Sequence, residues 1–208
     1  MKAHVLGPSF STLVRSVRLY CEEKGIVHSY GMDVDGTPVA WRSEAHRAYH
    51  PFGKVPVLIH GSKRVFETTA ICRYLDDAFP AGVVGDRTLI DQWSSALASK
   101  VDAHIVRSYI LPIIGPNSPG LPDQLALAKA QSLAEQTLTI LDLQLGDQLF
   151  FCGDRYSMAD ALLTPMLDYL EQITVPASLL DKQPRLLSYL TRMRNRPSGF
   201  AVLQPKAR

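Results

Sequence analysis

The sequence has few of the features that mark secreted, metal-binding or membrane proteins. Its three cysteines, Cys21, Cys72 and Cys152, form neither a C-x-x-C pair nor a metal-binding spacing. An odd and unpatterned set of this kind fits a reducing compartment, and each thiol is expected to be a small buried side chain. No run approaches the roughly 18 apolar residues that a membrane span needs. We therefore expect no metal site, no disulfide framework and no membrane-spanning segment.

An excess of charge of one sign is absent as well. There are 22 Lys and Arg against 20 Asp and Glu, a formal net charge of +2, and no basic block stands out. Nucleic acid is therefore not an expected partner. Arg15 and Arg18 interrupt the first segment before an apolar core develops, which argues against a signal peptide. With 46% hydrophobic residues, this balance predicts a cytoplasmic globular protein.

The first eighty residues alternate between strand and helix patterns. The periodicity predicts a strand at 3–6, a helix at 11–24, a strand at 26–34, a weaker helix near 40–48, a hairpin over 56–66 and a helix at 69–78. A start of strand, helix and strand implies parallel pairing of the first two strands. This βαβ-α-ββα order is that of the thioredoxin fold.

The remainder of the chain is predicted to be entirely helical. Pro80 and Gly82 break the pattern, so we expect one domain at 1–80 and a linker at 81–86. Helical periodicity then covers 88–114, 122–145, 157–173 and 184–195. The predicted fold is an α/β thioredoxin-like N-terminal domain followed by an all-α domain over 87–208.

Two short motifs in the first domain offer polar groups to a ligand. Val55-Pro56 opens an apolar strand, and its peptide bond can be cis. The proline leaves the backbone N–H and C=O of Val55 unpaired. Glu67 precedes a helix for which Thr68 is the predicted N-cap; a helix N-terminus attracts carboxylates, and a neighbouring Glu can hold an ammonium. Together these groups suit a zwitterionic peptide ligand.

These motifs resemble those of the glutathione transferase family. The stretch 50–58, H-P-F-G-K-V-P-V-L, is similar to the family's N-P-x-G-K-V-P-x-L, with His50 in place of Asn. The stretch 67–75, E-T-T-A-I-C-R-Y-L, is similar to its E-S/T-x-A-I-x-x-Y-L. Two later stretches also resemble family landmarks: C-G-D-R-Y-S-M-A-D and M-R-N-R-P-S. In the first of these, Ser157 and Asp160 have the spacing of a capping box, which we interpret as structural.

The resemblance implies that a residue near the start of the first helix faces the glutathione sulfur. Aligned on S-x-x-[TV]-R-x-V, the candidate catalytic residue is Ser11, with Ser9 and Thr12 as alternatives. A hydroxyl donor at the positive end of a helix would stabilise a thiolate. Alternatively, Ser11 only caps the helix. No cysteine occupies positions 7–13, which disfavours a thiol-transferase function.

The resemblance also implies how glutathione, as co-substrate, would be held. Val55, beside Pro56, should bind the cysteinyl backbone, and Lys54 should bind the glycyl carboxylate. Glu67 and Thr68 should hold the γ-glutamyl amine and carboxylate. Two structural alternatives stay open: Thr68 as a plain N-cap and Lys54 as a solvated surface lysine.

Two other parts of the binding site are less well marked. Family members often carry a basic residue in the second helix that reaches the glycyl end, but this segment departs from the pattern, and we expect His46 and Arg47 to be surface residues. The electrophile pocket is expected between the domains, lined by Phe10, Leu13, Tyr109, Ile110 and Ile113. Each of these apolar residues could equally belong to an ordinary core.

The resemblance predicts a serine-type, bacterial-like glutathione transferase that conjugates glutathione to small apolar electrophiles, a detoxification reaction. We expect a homodimer in which Phe52 inserts into the partner subunit; alternatively, Phe52 folds back onto its own domain. The alternative functions are a glutathione-dependent isomerase or peroxidase on the same scaffold, and a non-catalytic binding module.

Overall fold

The computed structural model describes residues 2–80, 85–115, 123–173 and 178–203. These residues divide into two compact units. The first contains the described residues up to 80 together with those from 197 onward, and the second contains those from 85 to 196. Most of the predicted linker, 81–86, lies outside the described residues.

A four-stranded mixed sheet forms the frame of the first unit. The strands of this unit are β1 (Ala3–Leu6), β2 (His28–Gly31), β3 (Asp33–Val34), β4 (Thr37–Pro38), β5 (Val57–His60) and β6 (Lys63–Phe66). The order in the sheet is β2-β1-β5-β6. As predicted, β1 pairs in parallel with β2, and β5 and β6 form an antiparallel hairpin, while β1 and β5 are also antiparallel.

Both faces of this sheet are covered. The helices within residues 2–80 are α1 (Thr12–Glu23), α2 (Glu44–Tyr49) and α3 (Thr68–Ala78). α1 packs against α3 and buries Val14, Val17 and Cys21 at helical spacing. A separate cluster contains Leu6 and Val57. The central strands are mostly apolar, as expected of strands with neighbours on both faces, and each carries one half-buried histidine, His4 and His60.

A short hairpin follows β2 and was not predicted. β3 pairs with β4, and the connecting residues Asp35 and Gly36 have φ values of 50° and 79°. Positive φ at both positions is what a two-residue type I′ turn requires, and Asp-Gly is a known signal for it. The prediction of one strand over 26–34 was therefore wrong beyond Gly31, where β2 ends.

Helices account for the second unit. They are α4 (Arg87–Ala96), a π-helix (Leu97–Ile110), α5 (Leu111–Ile114), α6 (Gln124–Leu145), α7 (Met158–Glu171), a 3-10 turn (Leu180–Lys182) and α8 (Pro184–Arg194). Within its described residues this unit has no strand, only an isolated bridge between Phe150 and Gly153. In the described ranges no helix is both long and apolar enough to cross a membrane.

The π-helix interrupts the single helix that was predicted over 88–114. In a π-helix, residues that are five apart in the sequence lie one turn apart, and two side-chain contacts join such residues. Arg107 donates to the Asp102 carboxylate at 2.5 Å, and the Ser108 hydroxyl donates to the Ala103 carbonyl at 2.7 Å. Sequence periodicity does not separate this register from that of an ordinary helix.

A last helix, α9 (Pro197–Val202), belongs to the first unit. The periodicity predicted no helix beyond residue 195, but Pro197 suits the first position of a helix. α9 packs on α1, where Arg18 donates to the Ala201 carbonyl at 3.4 Å and the Ser198 hydroxyl donates to Glu23. The end of the described chain therefore lies with the first unit and not with the predicted domain at 87–208.

The predicted capping box is present at the start of α7. One carboxylate oxygen of Asp160 accepts from the N–H and the hydroxyl of Ser157, at 2.8 and 2.9 Å. Its other oxygen accepts from the Phe151 N–H at 2.7 Å and from the Tyr189 hydroxyl at 2.9 Å. Because Asp160 is fully buried and these four bonds join three segments, the motif is structural.

The three cysteines are free and buried, as expected. Burial raises the pKa of the Cys21 thiol and that of the Cys152 thiol to about 12, and it raises the pKa of Cys72 well above its ordinary value. A thiol in this state is a poor nucleophile, since the thiolate is the reactive form.

Candidate functional site

The sheet register gathers the predicted site residues at one edge of the first unit. Leu6 pairs with Val57, and Val57 pairs with Phe66. Three segments therefore meet at the same edge, just beyond these three residues: the segment after β1, the segment before β5 and the segment after β6. We call this edge the ligand edge; Ser11, Val55 and Glu67 lie in its three segments.

Gly7 allows the start of α1 to approach Val55. Its φ is 152°, and a Cβ at this position would lie 2.4 Å from Val14 Cγ2 and 3.2 Å from Val55 Cβ. Since real Cβ atoms do not come within 3.0 Å of another heavy atom, a larger residue would push these segments apart. Gly7 thus brings the segment containing Ser11 and the segment containing Val55 together.

Ser11 is the N-cap of α1. Its hydroxyl oxygen accepts from the Val14 N–H at 3.4 Å, a long bond, and the side chain is half-buried. Accepting this bond leaves the hydroxyl proton available to a ligand. The alternative Ser9 is exposed, and its carbonyl accepts from Arg15 Nε at 3.1 Å. The capping role and a ligand-binding role of Ser11 are therefore compatible.

The Val55–Pro56 bond is cis, as the sequence suggested. Among the described residues no hydrogen-bond partner is found for the backbone N–H and C=O of Val55. The side chain of Lys54 is exposed and forms no ion pair within the described part of the chain. Both residues therefore keep their polar groups available at the ligand edge.

The start of α3 differs from the prediction in one respect. The N-cap is Glu67, not Thr68, because Glu67 has φ 66° and ψ 122° and only the next residue is helical. A positive φ is costly for a residue other than glycine, asparagine or aspartate, and such strain is common at functional sites. The Glu67 carboxylate is exposed and makes neither a cap bond nor an ion pair with described residues.

Thr68 is 3% exposed, and its buried hydroxyl oxygen has no hydrogen-bond partner among the described residues. A buried hydroxyl left unpaired is costly, and such groups in native proteins normally have a hydrogen-bond partner. The alternative of a plain N-cap is excluded, since this hydroxyl makes no cap bond. The Thr68 hydroxyl and the first amides of α3 are hydrogen-bond donors of the kind that bind a carboxylate.

His50, which stands where the family motif has Asn, is almost fully buried beside these groups. Its Nδ1 accepts from the Phe52 N–H at 3.2 Å, and its ring lies 4.8 Å from the Phe66 ring. Burial lowers the pKa of His50, so the ring is neutral near pH 7. Phe52 itself is 72% exposed, and its ring lies 6.1 Å, edge to face, from the His50 ring of the same unit.

The residues predicted for the electrophile pocket belong to both units. In the first unit Phe10 is exposed and Leu13 is half-buried. In the second, Tyr109 and Ile110 are buried and Ile113 is half-buried. Within the described part of the chain the Tyr109 hydroxyl has no hydrogen-bond partner, and burial raises its pKa.

The expectation that His46 lies on the surface was wrong. His46 is fully buried, whereas Arg47 is exposed as expected. A single polar residue on a short helix gives no periodic signal of burial, so the sequence could not have identified it. Across the described residues no group of three or more His, Cys, Asp or Glu is placed to hold a metal ion.

The chain is similar to known proteins in both sequence and structure. A family model of the glutathione S-transferase N-terminal domain matches residues 10–78, and one of the C-terminal domain matches residues 124–192. The chain belongs to the glutathione S-transferase family.

Relatives of this family extend over the whole chain. The probable glutathione S-transferase GSTF1 of Oryza sativa subsp. japonica is 29% identical over 97% of each sequence. The crystal structure of poplar glutathione transferase F1 has a TM-score of 0.83 and 25% identity, covering 98% of this chain and 97% of that one. Glutathione S-transferase III in its apo form has a TM-score of 0.82 at 21% identity over the full length of both chains. The predicted two-part fold is confirmed.

Proposed function

We propose that this protein uses the ligand edge to bind glutathione and to activate its thiol. The protein is a glutathione transferase, and glutathione is its co-substrate. One observation carries the assignment of the site: the buried, unpartnered hydroxyl of Thr68 at the N-terminus of α3, next to the unpaired carboxylate of Glu67. A ligand that carries a carboxylate and an ammonium on the same carbon can satisfy both groups, the carboxylate binding the Thr68 hydroxyl and the ammonium binding Glu67.

The remaining groups of the ligand edge match the rest of the peptide. In this proposal Glu67 holds the γ-glutamyl ammonium, and Thr68 with the α3 amides holds the γ-glutamyl carboxylate. The free N–H and C=O of Val55 pair with the cysteinyl backbone, as in an added β-strand. The Lys54 ammonium holds the glycyl carboxylate.

Ser11 would then act on the cysteinyl sulfur. A free thiol has a pKa of about 8.5, and only the thiolate attacks electrophiles. A hydrogen bond from the Ser11 hydroxyl to the thiolate contributes about 1.5–3 kcal/mol, which lowers the thiol pKa by about one to two units. The thiol releases its proton to solvent, and the sulfur lone pair forms a bond to an electrophilic carbon of the second substrate.

We further propose that the second substrate is a small apolar electrophile and that the reaction serves detoxification, as the resemblance to the family implies. We also propose that the enzyme is of the serine type, acts in the cytoplasm and is a homodimer. Whether it is of a bacterial-like subtype stays a prediction, since the relatives named above are plant proteins.

A glutathione-dependent isomerase or peroxidase would use the same thiolate. A non-catalytic binding module would not need the unpaired groups of Lys54, Glu67 and Thr68 together, and their joint presence favours an enzyme. The test is calorimetry with glutathione, followed by assays with aryl halides, epoxides, enones and hydroperoxides. If the protein binds glutathione but turns over none of these electrophiles, the non-catalytic binding module is favoured. If it does not bind glutathione, the whole proposal is contradicted.

A further inference from the structure

His46 joins two segments of the first unit that are separate in the sequence. It lies on α2 and is fully buried, and the Ser43 hydroxyl accepts its backbone N–H at 3.1 Å. Its ring Nδ1 lies 3.0 Å from the Arg42 backbone nitrogen, and Nε2 lies 3.1 Å from the Lys54 carbonyl oxygen. The ring thus bridges the turn before α2 and the segment that leads into Val55.

These two bonds determine the protonation state of the ring. The Arg42 N–H can only donate, so Nδ1 must carry a lone pair. The Lys54 carbonyl can only accept, so Nε2 must carry the hydrogen. His46 is therefore a neutral imidazole in the Nε2–H form, and either a second proton or the other tautomer would break one of the two bonds.

The bridge holds Arg42 in an unusual backbone conformation. Arg42 has φ 59°, which is unfavourable for a side chain of this size. Its N–H is bound by His46, and its C=O accepts from Arg47 Nη1 at 2.6 Å. With these bonds in place the Arg42 side chain lies beside Gly53, where a Cβ would be 3.6 Å from Arg42 Cγ.

We infer that His46 is a positioning residue for the glycyl end of the glutathione site, because its ring sets the backbone of Lys54 and of Arg42. This inference rests on the proposed function. His46 does not touch the ligand. Its ring holds the Lys54 carbonyl, and this contact fixes the orientation of the Lys54–Val55 peptide group and the direction in which the two side chains point. Loss of the ring should therefore weaken recognition of the glycyl part of the peptide more than recognition of the γ-glutamyl part.

The same bridge should make binding sensitive to pH. The charged and titratable residues that bond to the ring or shift its pKa are Arg42, Lys54 and Arg47, and His50 lies close enough to interact with it. Burial, with a contribution from Arg47, lowers the pKa of His46 below its ordinary value. The neutral ring therefore persists at neutral pH, and affinity for glutathione should fall only at acidic pH, where the ring takes up a proton despite its lowered pKa.

Two variants separate positioning from simple packing. His46→Phe keeps a planar ring and removes both hydrogen bonds, while His46→Gln keeps one acceptor and one donor but cannot titrate. Calorimetry would compare glutathione with γ-glutamylcysteine, which lacks the glycyl residue. We expect His46→Phe to weaken glutathione binding by about tenfold and γ-glutamylcysteine binding by about threefold or less, and His46→Gln to stay within about threefold for both.

The pH profile supplies an independent measurement. Between about pH 7.5 and about pH 5, the wild type should lose glutathione affinity more steeply than His46→Gln, since only the wild-type ring can be protonated at this position. This arm requires only the Gln variant, so it decides the question even if His46→Phe does not fold. His104→Gln is the matched control, because the His104 ring bonds to Thr137 in the other unit; it should leave the affinity unchanged.

Several outcomes would overturn the inference. If folded His46→Phe loses both ligands equally or neither, His46 does not act on the glycyl end. If wild type and His46→Gln share one pH profile, the ring is not the titrating group. If the wild type does not bind glutathione at all, the proposed function fails and this inference fails with it. If the wild type binds glutathione and His46→Phe binds it equally well, only this inference is overturned.

Discussion

At the scale of single residues, the ligand edge is marked by polar groups without partners. Thr68 has a buried hydroxyl with no hydrogen bond, and Glu67 has a carboxylate with no counterion among the described residues. Ser11 differs, because its hydroxyl already accepts the Val14 N–H. The predictions for these residues differ accordingly: Glu67 and Thr68 should act on binding, and Ser11 on reactivity.

Ser11→Ala should lower the rate of conjugation at neutral pH by roughly ten- to hundredfold, because one hydrogen bond to the thiolate is lost. The pKa of bound glutathione should rise by about one to two units, measured as thiolate absorbance against pH. The stability loss should be small, about 1 kcal/mol or less, since the cap bond is long. Ser9→Ala is the matched control; full activity in Ser11→Ala together with a loss in Ser9→Ala would move the catalytic role to Ser9.

Glu67→Ala and Thr68→Val should each weaken glutathione binding by about tenfold or more, because each removes a group that holds the charged γ-glutamyl end. Some loss of kcat should accompany this, since binding energy from remote parts of a substrate also contributes to catalysis. Thr68→Val removes an unpartnered buried hydroxyl, so it should not destabilise the free protein. Unchanged affinity in both variants, measured by calorimetry, would remove the ligand assignment.

At the scale of elements, the Asp160 carboxylate joins the start of α7 to Phe151 and to α8 through Tyr189. Asp160→Ala would leave buried donors of three segments without an acceptor. We expect a loss of about 3–5 kcal/mol in the free energy of unfolding, measured by urea denaturation. Asp147→Ala, at an exposed surface ion pair with Arg185, should leave the denaturation midpoint unchanged. A loss in Asp160→Ala no larger than that of the control would contradict the structural role.

At the scale of the whole molecule, we predict a two-fold homodimer. Phe52 is 72% exposed on a loop beside the ligand edge, and an exposed aromatic residue on a short loop commonly marks an interface. Light scattering at micromolar concentration should give about twice the chain mass of 23.0 kDa. A fully active monomer would contradict the dimer, whereas a dimer that is unaffected by Phe52→Ala would contradict only the anchor.

Local patterns in the sequence were sufficient for most elements and for the outline of the site. Periodicity identified α1, α3 and the β5–β6 hairpin, and the motifs around Val55 and Glu67 indicated which polar groups would be left unpaired. These features depend on neighbours within a few residues, where hydrophobic spacing and proline or cap geometry act directly. The hairpin between β3 and β4, which was not predicted, also had a local signal, the Asp35-Gly36 pair at its turn.

Tertiary structure alone decided the features that depend on distant contacts. The register Leu6–Val57–Phe66 brings three segments to one edge, and Gly7 lets α1 approach Val55. His46 is buried because segments before and after α2 close over its ring, and α9 returns to the first unit by docking on α1. Burial and hydrogen bonding across such distances depend on how elements pack, so a sequence read by local spacing does not contain them.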